Sequence, residues 1–471
     1  MLRSRATAPL HLLMLITLGC AGRDDALGKL GLDSASPAGE DSGQGGEDLP
    51  TDGSADGGSG GDTGGGDTGA PEPAPCETAG GLLPWGAEGG LLNLEASLSG
   101  ARAPCAAAWH AGAAAEGMDL SLRLDATEDG AMWVEITDLL GAPLIATTRL
   151  GPGEALGFRA AQSGEFLVAL HPTSPGDAAD PPRSYGLTLR CAGGCDREFT
   201  RYPIVFMHGM AGTDSYLSTL DYWFGLDGTL GESTFAYWTP AVDALAGTAP
   251  RAAQWRDHLD ALKAAGVGRR FNLIAHSQGG IDARLLIATL DPSADVVSLT
   301  TVATPHHGTP IADLADGVLD LTPFDGWLID ASLDAIAGLV GLSGPSLSDQ
   351  MHDMTRAQMA EFNVAVPDRA DVRYWSWAGV SCGALDLRCR ADHDGEVVEL
   401  VFEASLALVS LIEGDNDGLV GAESAHWGEF LGDINADHMD EIGQIADLIN
   451  PAFDAGDFYL NEARRLAAAG L

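Results

Sequence analysis

The sequence predicts a parallel α/β domain in its C-terminal half, preceded by a small antiparallel β-sandwich and, before that, a stretch too polar to fold. Three observations carry this. Two apolar runs, Tyr202 to Met207 and Phe271 to Ala275, each end in a glycine-bearing turn, and helical spacing lies between and after them. Short runs that alternate apolar and polar residues recur between residues 76 and 195. Residues 21–75 are dominated by Gly, Asp, Ser, Thr and Pro, a composition that cannot bury enough apolar area to offset its ordering entropy.

A chain of 471 residues has room for two or three domains at roughly 100 to 200 residues each, which excludes a small disulfide-stapled peptide. Sixty-eight Asp plus Glu stand against 25 Lys plus Arg, a net charge of −43. Such a surface repels phosphate backbones, so nucleic acid is not an expected partner. Only Lys29 and Lys263 are lysines; the remaining cations are arginines.

At the N-terminus, Arg3 and Arg5 precede an apolar stretch from Leu10 to Gly19 that is too short to span a bilayer. The run Ile16-Thr17-Leu18-Gly19-Cys20 resembles a bacterial lipobox, with threonine where leucine is usual. Residues 1–20 are therefore expected to be a (lipo)protein signal peptide, with acylation of Cys20 as a possible membrane anchor. Seven cysteines less Cys20 leave six, an even number suited to an oxidising compartment. The expected location is extracytoplasmic: an outer-membrane or cell-surface lipoprotein, or a secreted protein.

Residues 21–75 then read as a self-repelling, disordered tether. In residues 76–195 the inward set is Leu120, Leu122 and Leu124, then Met132, Val134 and Ile136, then Phe166, Val168 and Leu170, then Tyr185, Leu187 and Leu189. Period two at this spacing predicts the sandwich. Cys76, Cys105, Cys191 and Cys195 supply two disulfides in any of three pairings. The stretch from Ser163 to Val168, with Tyr185 to Leu189, resembles the pre-peptidase C-terminal-like modules of secreted bacterial hydrolases. No titratable cluster here suggests chemistry, so a spacer or surface-binding role is expected.

The chemistry is placed in residues 198–471. The second apolar strand runs into His276-Ser277-Gln278-Gly279-Gly280, after which Ile281 to Leu290 reads as a helix; Arg251 to Ala265 carries helical spacing between the two strands. A serine on a sharp strand-to-helix corner needs small neighbours two before and two after it, and Ala275 and Gly279 supply them. Alanine replaces the usual glycine in the first place. The helix that follows aims N–H groups and a positive dipole at any oxyanion beside Ser277.

A serine hydroxyl needs a base, and the base an orienting carboxylate. Downstream of Ser277 the candidate histidines are His306, His307, His352, His393, His426 and His438. His306 and His307 directly follow the strand Val297 to Val302 and suit a structural role near the pocket. His438 lies in a loop before a helix, a usual place for a mobile base. Asp417 lies in Asp415-Asn416-Asp417-Gly418-Leu419-Val420, a turn whose flanking apolar runs suggest a strand end.

With these residues the sequence resembles the bacterial secreted triacylglycerol lipases of the Pseudomonas type, which have the α/β-hydrolase fold. The resemblance rests on Tyr202-Pro203-Ile204-Val205 with His208-Gly209-Met210, on Asp221-Tyr222-Trp223-Phe224-Gly225, and on Asn272 to Gly280. It continues through Thr304-Pro305-His306, Trp375 to Gly379, Asn416 to Val420, His438 to Ile442 and Arg465 to Leu471, in collinear order from about residue 200. It implies Ser277 as nucleophile, His438 as base, Asp417 as acid, and the backbone amides of Met210 and Gln278 as oxyanion donors.

The resemblance also implies a structural calcium near the catalytic histidine, with Asp440 as one carboxylate and the Gln444 carbonyl as another ligand. For the second carboxylate, Glu403, Asp386, Asp392 or Asp394 would have to serve. Cys382 keeps the family's cysteine position, its usual partner position holds Glu423, and Cys389 is left as replacement. A lid at about 313–345 is implied, its apolar helix spanning Asp325 to Leu342. The implied partners are a lipid ester at an interface and the dedicated foldase that many relatives use. Hydrolysis of esters is the leading function; an acyltransferase or short-chain esterase on the same fold and a non-catalytic surface adhesin are the alternatives.

Overall fold

The computed structural model describes residues 91–98, 108–127, 130–172, 183–210, 222–319, 351–444 and 453–471. They fall in one compact unit, Pro73–Leu471. The signal segment with Cys20, the tether, Cys76, Cys105 and the lid helix lie outside the described residues.

Eight strands come first: β1 (Leu91–Leu98), β2 (Ala108–Ala114), β3 (Asp119–Thr127), β4 (Met132–Thr137), β5 (Pro143–Leu150), β6 (Ala155–Arg159), β7 (Gly164–Pro172) and β8 (Arg183–Gly193). They pair antiparallel in two four-stranded sheets, ordered β1-β8-β3-β6 and β2-β7-β4-β5. Alternation decides which face is inside: Leu120, Leu122, Leu124, Met132, Val134, Ile136, Phe166, Val168, Leu170, Tyr185, Leu187 and Leu189 all enter one core. Cys191 and Cys195 are bonded to each other.

Six further strands form a single parallel sheet ordered β10-β9-β11-β12-β13-β14: β9 (Ile204–Met207), β10 (Tyr237–Trp238), β11 (Phe271–His276), β12 (Val296–Val302), β13 (Arg373–Gly379) and β14 (Glu429–Ile434). The middle strands β9, β11 and β12 are buried along their whole length, as a parallel sheet covered by helices requires. The helix Thr248–Ala264 buries Trp255, Leu259 and Leu262, and the helix Ala455–Ala468 packs Tyr459 and Leu466 with Phe206 and Trp223. Beyond the serine, the helix starts at Gln278, earlier than expected, and ends at Leu285; a π-helical turn, Leu286–Leu290, completes it. Cys382 is bonded to Cys389, the replacement partner expected.

At the rim where the parallel strands begin, Lys263 Nζ lies 2.7 Å and Arg256 Nη2 3.0 Å from Asp295, the residue before β12. Glu165 of β7 carries the contact between the sandwich and the residues that follow it: Arg201 Nε is 3.1 Å and Arg269 Nη2 3.0 Å from its carboxylate. Ser163 Oγ donates to Thr234 O at 2.5 Å beside this pair.

Candidate active site

At the end of β11 the chain turns through Ser277 with φ 55° and ψ −133°, a left-handed conformation that costs energy for any residue with a side chain. The turn is held because its neighbours leave no room to relax. A Cβ on Gly279 would run into the carbonyl oxygens of Met207 and His208, and one on Gly280 into Thr304. Ser277 stands at the C-terminal edge of the sheet, with the Gln278 amide heading the helix behind it, among the N–H groups that have no intrahelical acceptor.

His438 brings its Nε2 to 3.0 Å from Ser277 Oγ, and its Nδ1 to 2.8 Å from Asp417 Oδ2. A carboxylate only accepts, so the Nδ1 side carries the hydrogen and Nε2 is the basic nitrogen facing the serine. Asp417 Oδ1 accepts from the amides of Leu419 at 2.8 Å and Val420 at 2.7 Å, and the His438 amide donates to Asp417 O at 3.0 Å. Asp417 is in a turn, as expected, but not at the strand end that the flanking apolar runs suggested. It lies in a tight turn closed by a single bridge between Asn416 and Gly421, where Gly418 takes φ 97°.

The loop after β9 passes against the nucleophile: a Cβ on Gly209 would stand 2.7 Å from Ser277 Cβ. Arg251, fully buried, grips this loop by donating from Nη2 to His208 O at 2.6 Å and Gly209 O at 3.2 Å while its Nε meets Asp282 at 2.7 Å. Burial pushes the Asp282 carboxyl up to about 6, with Arg251 pulling the other way. His208 accepts the Val242 amide on Nε2 at 3.0 Å and faces Gly209 O with Nδ1 at 2.9 Å; burial, then Arg251, pushes it down to about 3, so it is neutral.

Behind His438 lies His276, its ring 4.6 Å away centroid to centroid. His276 Nε2 is 2.8 Å from Glu441 Oε2, its Nδ1 is 2.7 Å from the Tyr222 hydroxyl, and that hydroxyl accepts the Gly209 amide at 2.9 Å. Burial, then the charge of His438, holds His276 well below the usual imidazole value. Burial, then Asp417, Asp437 and Asp440, drives Glu441 well above the carboxylate range.

A second acidic group adjoins the His438 loop. Glu396, Asp437 and Asp440 are buried or nearly so and bring one oxygen each within 4.8 Å of one another. Glu396 Oε2 has no hydrogen-bond partner among the described residues, and its other oxygen accepts from Ser381 Oγ at 2.8 Å. Burial, opposed by Ser381 and reinforced by Asp440 and Asp437, pushes Glu396 up to about 8. An all-oxygen, multiply acidic donor set with an orphaned buried oxygen fits a calcium ion. The carboxylates that converge on Asp440 are therefore Glu396 and Asp437, not the four expected. Glu403 instead accepts from the Ala384 amide, Asp386 caps the helix Leu387–Asp392, Asp394 accepts from Asn435, and Asp392 is exposed. Gln444 donates from Nε2 to Tyr222 O at 3.0 Å.

No family model matches the chain. A triacylglycerol lipase of Pseudarthrobacter phenanthrenivorans is 28% identical over 288 residues, covering 52% of this chain and 90% of that one. A triacylglycerol lipase of Pseudomonas fragi is 29% identical over 299 residues, covering 58% of this chain and 98% of that one. The chain is similar in sequence to these bacterial triacylglycerol lipases. Among solved structures, a Staphylococcus hyicus lipase is 20% identical, covers 58% of this chain and 98% of that chain, and superposes with a TM-score of 0.42. By its likeness to the two sequence relatives, the chain is an ester hydrolase of the serine class.

Of the residues singled out from the sequence of this lipase relative, Ser277, His438 and Asp417 meet in one hydrogen-bonded line, and Asp440 joins the acidic group. The other candidate histidines go elsewhere. His306 is buried between Thr301 and Arg284, His307 is tilted against Trp427, His352 faces Asp316, His393 faces Asn435, and His426 is tilted against Phe430. Arg251, Tyr222, Asp282 and Glu396 were missed as parts of the site. A buried arginine in a helix with apolar spacing was the one signal in the sequence that could have found the first.

Proposed function

We propose that this ester hydrolase cleaves lipid carboxylic esters, triacylglycerols first among them, through an acyl-enzyme on Ser277. The carrying observation is the line Ser277 Oγ, His438 Nε2 and Nδ1, Asp417 Oδ2, with spacings of 3.0 and 2.8 Å. In this reading His438 Nε2 takes the proton of Ser277 as Oγ attacks the ester carbonyl. Asp417, its other oxygen occupied by two amides, holds the imidazole in the Nδ1–H form and offsets the charge it gains. The backbone amides of Met210 and Gln278 receive the oxyanion. His438 then returns the proton to the leaving alcohol and activates the water that releases the acid.

Glu396, Asp437 and Asp440, with Gln444 as the further ligand, are proposed to hold calcium, whose charge there would neutralise the acids beside the His438 loop. Among the described residues no helix is long and apolar enough to cross a membrane. An extracytoplasmic location, with or without a lipid on Cys20, is proposed from the N-terminal sequence alone. Reliance on a foldase is proposed from the family resemblance of the sequence alone.

The test is hydrolysis of p-nitrophenyl esters of graded chain length and of emulsified triacylglycerol by the protein and by Ser277→Ala. Long-chain and triacylglycerol hydrolysis that drops at least about 10,000-fold in Ser277→Ala is expected. Activity that survives the substitution, or that ends at short chains, overturns the reading.

A further inference from the structure

Gly209 immediately precedes Met210, and buried side chains hold the peptide groups on both sides of it. Arg251 takes the carbonyl side. On the amide side, Gly209 N–H donates to the Tyr222 oxygen at 2.9 Å. Tyr222 therefore uses its own hydrogen toward His276 Nδ1, 2.7 Å away. A neutral His276 with Nδ1 accepting carries its hydrogen on Nε2, which donates to Glu441 Oε2 at 2.8 Å. That same carboxyl oxygen is 3.8 Å from Nδ1 of His438. The line thus runs without a break from the oxyanion loop to the flank of the base.

The parts of this line are rigid for separate reasons. Tyr222, His276 and Glu441 are buried at 6%, 1% and 0% exposure, too deep to meet an ester. Tyr222 is walled by the rings of His208, Trp223 and His276. The Tyr459 hydroxyl donates to Glu441 O at 3.0 Å, fixing the far end. At the near end, position 209 has no space for a side chain, since a Cβ there would meet Ser277 Cβ and the Tyr222 oxygen. A loop this close to the nucleophile moves the oxyanion donors whenever it moves.

We propose that Tyr222 and His276 are positioning residues of the ester hydrolysis: their hydrogen-bonded line, anchored on Glu441 beside His438, keeps the Gly209–Met210 peptide aimed at Ser277. The inference rests on the roles given to Ser277 and Met210 above. Neither side chain touches substrate; both act through the backbone.

The test uses Tyr222→Phe, which deletes one oxygen and keeps the ring, in the full chain acting on a water-soluble ester, with active sites counted by a phosphonate titrant. Turnover per titrated site should fall about 10- to 100-fold with KM within about twofold, because an oxyanion donor is displaced and substrate binding is not. The rate of phosphonylation, which also builds charge on an oxygen, should fall in parallel. A merely structural role would lower the number of titrated sites and the unfolding midpoint, and leave turnover per site intact. His276→Asn breaks the line one link later and should give the same split; if Tyr222→Phe does not fold, His276→Asn decides alone. The double variant should lose no more than the worse single one, since both interrupt one line. Full turnover per site in either variant overturns the proposal, and so do losses that multiply. Ser277→Ala run alongside separates the two levels: if it stays active, the assigned nucleophile is wrong, whereas an inactive Ser277→Ala beside fully active line variants removes only this inference.

Discussion

The Glu165 carboxylate, 2% exposed, lies 3.0 Å from the guanidinium of Arg269, a residue 104 positions further along the chain. Arg201 takes the other oxygen of the same carboxylate. Glu165→Ala leaves Arg201, itself 12% exposed, facing a cavity with its charge uncompensated. A loss of about 2 to 4 kcal/mol in unfolding free energy is expected, the half-exposed Arg269 contributing least. Denaturant unfolding of the two proteins measures it; an unchanged midpoint would mean that the junction adds nothing to stability.

Gly279→Ala tests the corner that carries Ser277. The added methyl meets two backbone carbonyls, neither of which can swing aside as a side-chain tip would. Esterase activity should disappear, with a fall of about 2 to 4 kcal/mol in stability or no soluble protein. A folded and fully active Gly279→Ala would show that the corner is looser than its geometry.

Acid should act through His208. Its folded value is lowered to about 3 against 6.5 for a free imidazole, so below 6.5 the unfolded chain binds a proton that the folded one refuses. Stability from this group is therefore present above 6.5 and lost as the pH falls toward 3, at up to about 1.4 kcal/mol per pH unit. His208→Gln, neutral at every pH, should be less stable than the parent at pH 7 and draw level on acidification. Unfolding midpoints measured from pH 7 down to pH 4 check this; a gap that widens sinks it.

Calcium should bind more tightly as the pH rises. Glu396, pushed up to about 8, holds a proton at neutral pH that the cation must displace. Titration calorimetry in buffers of different ionisation enthalpy should register proton release, and Glu396→Gln and Asp440→Asn should each weaken binding at least about tenfold. Chelation should lower the unfolding midpoint of the parent and leave both variants unmoved. Equal affinity in the parent and in Glu396→Gln would remove Glu396 from the site.

Period-two alternation made the sandwich legible residue by residue, because each inward side chain from Leu120 to Leu189 answers to one neighbouring strand pair. The buried run of β11 and the small residues around Ser277 made the corner legible for a local reason too. The turn of Asp417 was legible but the strand end beside it was not there: the flanking runs are apolar, yet what holds Asp417 is a bridge between Asn416 and Gly421 and two amides within its own turn. Glu396 was invisible for the opposite reason. It is 41 residues from Asp437 and 44 from Asp440, and nothing local distinguishes it from the chain's many other acids. Tyr222 takes the backbone amide of Gly209, 13 residues earlier, a contact that leaves no pattern in a sequence.

The pairing of Lys263 with Asp295 has a practical side. In a chain with two lysines, Lys263 is the only ammonium side chain among the described residues, and it stands at the rim where the parallel strands start. Ser277 opens at the rim where they finish. A dye or support joined to the Lys263 amine would hold the molecule by its back and leave the mouth of the site turned away from the point of attachment.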